Sequence, residues 1–168
     1  MDRSTQTGNT HSNEAFFRLI KNPFKFRLFL ARKLPAAFFS GLRIHYADED
    51  RCSVQVPFSA FTKNPFRSTY FACLSMAAEM STGVLAMASV YKRKPAVSML
   101  VVSLEAKFHK KATGLTVFTC REGGQISASV NRAVLDQTAQ TFRAYAEGRN
   151  GAGELVAEFW ITWAFKSR

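Results

Sequence analysis

The stretch NPFRSTYFACLSMAAEMSTGVLAMASVY, residues 64–91, decides the fold. From Thr69 to Tyr91 it holds one formal charge, Glu79, in a chain that carries 23 Lys and Arg. It is the most apolar helix-forming run in the sequence. Lys92-Arg93-Lys94-Pro95 follows it. Cations suit a helix C-terminus, and proline cannot continue the helix. The pattern predicts one long helix over about 69–91, apolar nearly all round and therefore buried nearly all round. Its length approaches that of a membrane span. A mid-span carboxylate, however, costs roughly 2.5–3.5 kcal/mol on insertion, and strand-like segments surround the run. A buried core helix is the better reading.

Before the helix, Leu42, Ile44 and Tyr46 alternate with Arg43, His45 and Ala47, and Cys52, Val54 and Val56 alternate with Ser53 and Gln55. Asp48-Glu49-Asp50 between them is a turn signal, so the segment predicts a hairpin closed by Pro57. After the helix, 98–111 reads as a long strand, and Thr113-Gly114 turns the chain into another at LTVFTCREGG. Residues 124–136 are helical in pattern, with Gly123-Gly124 read as a turn. QTFRAYAEGRN and ELVAEFWITWAFKSR form two long strands around Gly151-Ala152-Gly153, and Trp160 falls off the alternation. Two strands, a helix and then four strands make an α+β pattern. Curling the sheet about the helix is one way to bury it. Residues 13–34 predict two short helices broken at Pro23, with Phe16, Phe17, Ile20 and Phe24 at helical spacing. Packing on the body explains them, and so does a membrane-surface helix. Residues 1–12 are polar and expected to be flexible, leaving a single domain over 13–168.

At 168 residues, 47% hydrophobic and 21% charged, the composition is that of one globular domain and excludes a disordered chain. The net charge of +11 favours an anionic partner. No nucleic-acid-reading motif is present, so nucleic acid is not expected. Cys52, Cys73 and Cys120 lie far apart, and no Cys/His metal spacing occurs. This favours buried thiols in a reduced cytoplasmic protein with no metal. No secretory signal is evident.

With these elements in place, the chain resembles a hotdog-fold thioesterase over about residues 36–167. It is most similar to the phenylacetyl-CoA type and its single-domain relatives. In that fold a curved antiparallel sheet wraps a long central helix. That group has an Asn, a Gly-Thr and a His-Gly-Gly step into the helix, and a carboxylate two turns on. Here Asn64 takes the Asn position, Ser68 the Thr position and Tyr70 the His position. Phe71 and Ala72 replace the glycines, and Glu79 falls on the carboxylate. Phe108, Lys110 and Gly114 resemble the family's following strand and turn. The resemblance implies that Glu79 is catalytic, that Asn64 positions water or the loop, and that Ser68, Tyr70, Phe71 and Ala72 line the oxyanion and substrate site. It further implies that Lys110 and Lys111 meet the phosphates of coenzyme A, which enters as part of the substrate and not as a cofactor. A homodimer or tetramer is implied as well.

Chemistry supports Glu79 independently. Desolvation raises a carboxylate's pKa toward the range useful for acid–base work. The first turn of the helix offers free amides, near Tyr70 and Phe71, to a developing oxyanion. Glu79 lies about 12 Å along the axis from them at 1.5 Å per residue, too far to share one carbonyl within one protomer. Ser75 and Ser81 are lesser candidates for orienting water, Thr82 and Gly83 for a second contact. His45 and His109 are read as strand or surface residues. The expectation is an acyl-CoA thioesterase. The alternative is a non-catalytic hotdog protein that binds an acyl or lipid ligand and contacts a membrane surface through its N-terminal helices.

Overall fold

The computed structural model describes residues 14–168. The expectation for residues 1–12 lies outside that range. Residues 14–20 form helix α1. Helix α2 (Pro23–Lys33) starts at Asn22, whose Oδ1 accepts the Lys25 amide at 3.0 Å, and Pro23 fills the first helical position. A short helix α3 (Pro35–Phe39), not anticipated from sequence, leads into the sheet. Phe16, Phe17 and Ile20 are buried, but Phe24 is 78% exposed. The break at Asn22-Pro23 resets the helical phase, so the apolar stripe of α1 does not carry into α2, which buries Phe26 and Leu30 instead.

The hairpin of β1 (Arg43–Ala47) and β2 (Cys52–Val56) turns at Asp48, whose Oδ1 accepts the amides of Asp50 at 3.0 Å and Arg51 at 2.7 Å. The central helix α4 runs from Phe71 to Val90. Strands β3 (Val97–Phe108) and β4 (Thr116–Cys120) follow, then α5 (Gly123–Leu135), β5 (Gln140–Asn150) and β6 (Leu155–Ser167). Gly123-Gly124 opens α5 and is not a turn, and Ile126, Ser129, Val130 and Ala133 form its buried stripe. The six strands are antiparallel in the order β1-β2-β4-β5-β6-β3. The sheet wraps α4, which touches β2, β4, β5 and β6, while α5 packs on the helix and on β5 and β6.

Alternation in β6 carries Phe159, Ile161, Trp163 and Phe165 into the core, and Trp160 falls on the outer face against Tyr145. Gly148 on β5 leaves room for the buried Phe118 ring, which a Cβ there would meet at 2.4 Å. Long apolar α4 is mostly buried by this wrapping. Together these features make the predicted α+β hotdog fold. The helix is not covered all round, however. Phe71, Ser75, Glu79, Gly83 and Met87, spaced four apart, form a stripe of partial or full exposure, with half-buried Met76 beside it.

Buried Cys52 and Cys120 are directly opposed across β2 and β4, and Cys73 is buried in the first turn of α4; all three are free thiols. Burial pushes the Cys120 thiol up to about 12 and Cys52 higher still.

Candidate active site

Glu79 projects from the open stripe of α4 into a cavity of about 150 Å³. Phe16 and Ile20 of α1, Phe26 and Phe29 of α2, Met99 of β3 and Trp163 of β6 are among its walls, and among the described residues Glu79 is the one ionisable group lining it. No hydrogen bond to the Glu79 carboxyl occurs among the described residues. Burial alone pushes its pKa above the ordinary glutamate value, because the ionised form loses water and gains no partner. Gly83 makes the space: a Cβ there would lie 3.1 Å from Glu79 Oε1 and 3.2 Å from the Trp163 ring. Thr82 Oγ1 donates to the Glu79 carbonyl at 3.0 Å and accepts Trp163 Nε1 at 3.0 Å, which fixes the turn that carries the carboxylate. Ser75 and Ser81 donate to the carbonyls of Phe71 and Ala78, so their hydroxyls are held by the helix and not aimed at Glu79.

The other end of α4 is built by the loop 57–70. Asn64 Oδ1 accepts the Phe66 amide at 3.0 Å, and the Ser68 amide and hydroxyl, both at 3.2 Å. Three donors on one oxygen make Asn64 the organiser of this loop. Arg67 takes a positive φ of 59° inside it. Thr69 N donates to Ala112 O at 2.7 Å and Tyr70 N to Thr62 O at 2.6 Å. The Tyr70 amide is therefore engaged, contrary to its expected role beside Phe71. The Phe71 and Ala72 amides begin the helix and have no backbone acceptor among the described residues, as the first turn of any helix requires. Phe71 lines a groove of about 570 Å³ together with Asn64, Ser68, Tyr70, Phe108, Lys110 and Lys111, and Ala72 is not among its walls.

Lys110 Nζ pairs with Glu154, which holds that carboxylate below its usual range and offsets the lysine's charge. Lys111 is exposed and in no ion pair among the described residues. His109 Nε2 lies 2.7 Å from Glu158 Oε2, and His45 is exposed on β1. The unengaged amides of Phe71 and Ala72 and the Glu79 cavity thus lie about two turns apart on the same helix. The cavity wall supplied by α1 and α2 was not foreseen. Its helical spacing was visible in the sequence, but what it packs against was not.

A family model described as a domain of unknown function (DUF4442) matches residues 25–165. No curated protein matches the chain. Among solved structures, the chain is similar to PA5026 from Pseudomonas aeruginosa, a protein of unknown function and probable thioesterase. The TM-score is 0.73 at 20% identity, covering 87% of this chain and 97% of that one. It is also similar to the thioesterase HI1161 from Haemophilus influenzae, with TM-score 0.63 at 13% identity, covering 87% and 91%. The thioesterase enzyme SAV0944 from Staphylococcus aureus, as a point variant, gives TM-score 0.59 at 14% identity, covering 76% and 94%. At such identities the likeness establishes the hotdog fold.

Proposed function

The chain belongs to the DUF4442 family, and we propose that it hydrolyses acyl-CoA thioesters as a homodimer. The observation that carries this reading is the desolvated Glu79 carboxyl facing an apolar cavity of about 150 Å³ on the open stripe of α4. The apolar acyl or aryl group enters that cavity. Glu79 of one protomer takes a proton from water, whose oxygen attacks the thioester carbonyl. Phe71 and Ala72 amides of the other protomer donate to the oxyanion. The C–S bond then breaks, and the proton held by Glu79 passes to the leaving sulfur. Lys111 meets the coenzyme A phosphates by charge-assisted hydrogen bonds.

Two features support the dimer. The α4 stripe is only partly covered by the described residues, and edge strand β3 exposes Leu100, Val102 and Leu104 at 66%, 52% and 46%. Apolar edges are usually paired or protected. A thiol-release assay across short, long and aromatic acyl-CoAs tests the reading. Glu79→Gln is expected to lower turnover by about 10²–10⁴-fold. Undiminished turnover in the variant would remove Glu79 from the chemistry.

One observation favours a second reading, a non-catalytic acyl-binding protein. The hydroxyls of Ser75, Ser81 and Thr82 all donate to helix carbonyls, leaving none to hold a water on Glu79. Ligand affinity with no turnover in the wild type would select it.

A further inference from the structure

The outer face of α2 has no role in the reaction above. α2 buries Phe26 and Leu30 on the body. At 100° per residue, Phe24 and Leu28 fall on the opposite side. They are 78% and 43% exposed, and the exposed Lys25 and Arg32 flank them. This helix therefore has two apolar faces, one turned inward and one to solvent, with cations along the second.

The charge around it is one-sided. From Ala15 to Ala47 the sequence has seven Lys and Arg and no carboxylate. None of those cations forms an ion pair among the described residues; the carboxylates in ion pairs, Glu105, Glu147, Glu154 and Glu158, all lie between β3 and β6. A groove of about 670 Å³ between α1, α2 and β1 has Lys21, Arg27 and Arg43 around a floor of Ile20, Phe26 and Ile44.

We propose that this face docks the protein on an anionic phospholipid bilayer, with Phe24 and Leu28 in the headgroup–acyl boundary, Lys25 and Arg32 on lipid phosphates, and one headgroup seated between Lys21, Arg27 and Arg43. An outward apolar stripe bordered by cations is the pattern of a helix lying in a membrane interface. A second copy of the chain would bring like charges face to face, which opposes association. Nucleic acid would use the cations but leave Phe24 and Leu28 without an apolar environment.

Co-sedimentation of the full chain with vesicles tests this. Wild type is expected to bind phosphatidylcholine vesicles containing about one-third phosphatidylserine, and pure phosphatidylcholine far less. Salt should release it as the Debye length contracts from about 10 Å at 0.1 M to about 3 Å at 1 M. Each cation near the surface is worth about fivefold in partition, so Lys25→Glu with Arg32→Glu should weaken binding by at least about 25-fold. Phe24→Ser with Leu28→Ser should weaken it while the melting curve is retained, since both side chains are exposed. Arg143→Glu with Arg132→Glu, on β5 and α5, makes the same change in net charge and should leave most binding intact. The proposal is overturned if wild type does not bind the anionic vesicles, or if the β5/α5 pair loses as much as the α2 pair. It is equally overturned if the serine pair binds like wild type or dissociates a dimer, or if duplex DNA is bound and vesicles are not.

Discussion

Replacing Glu79 by Gln should stabilise the protein above acidic pH while removing its activity. The carboxyl has no hydrogen-bond partner among the described residues, and burial raises its pKa above the ordinary glutamate value. In the unfolded chain the group ionises near that ordinary value. In the folded chain it holds its proton to higher pH. Between the two pKa values the native state binds more protons than the unfolded state, so wild-type stability falls as pH rises through this window and levels off above the folded pKa. Gln has nearly the same shape and no titration. The two proteins should therefore melt alike near pH 4 and diverge as pH rises. Each tenfold displacement of proton affinity corresponds to about 1.4 kcal/mol, and a domain of this size shifts in Tm by roughly 2–4 °C per kcal/mol. Thermal melts of both proteins from acid to mildly basic pH give the difference directly. Every other ionisable group is common to the two proteins and cancels in the difference. A variant less stable than wild type at every pH would mean instead that the Glu79 carboxylate is held by a favourable partner.

Phe71→Pro removes one proposed oxyanion donor at the first helical position, where proline is tolerated; Tyr70 at φ −62° and ψ 133° already has the extended backbone that precedes proline. We expect kcat to fall about 10²–10³-fold with little change in Tm. Mixing Glu79→Gln protomers with Phe71→Pro protomers should restore about a quarter of wild-type turnover, because half the dimers are mixed and one of the two sites in each is intact. No recovery on mixing would mean that each site lies within one protomer.

How far the sequence could be read depended on whether a feature is local. The period-2 alternation at Phe159, Ile161, Trp163 and Phe165 and the unbroken apolar run of α4 each report burial from neighbouring residues, so the helix wrapped by a sheet was legible. Asp48 and Gly153 marked their turns for the same reason. Features set by distant partners were not. The Tyr70 amide is engaged because the loop brings Thr62 O to 2.6 Å. Lys110 is paired because the β5–β6 turn sets Glu154 beside it. Phe24 shares its spacing with buried residues, yet two residues at Asn22-Pro23 rotate it to solvent. The position of Glu79 was legible as a lone charge in an apolar run. The cavity it faces was not, because α1 and α2 supply much of it from more than forty residues away.

The three buried cysteines give the fold an internal record of its own openings. Thiolates react and thiols hardly do, and burial keeps Cys52 and Cys120 protonated in the middle of the sheet. A thiol-detecting reagent should thus register released coenzyme A and pass over the native protein. Cys73 sits in the first turn of α4, beside the Ser40 hydroxyl at 3.8 Å. Parting of the α3 end at Ser40 from the first turn of α4 would uncover it, whereas Cys52 and Cys120 require β2 and β4 to part. Labelling resolved by residue would then separate breathing of the amide end of α4 from opening of the sheet, without a probe being added to the molecule.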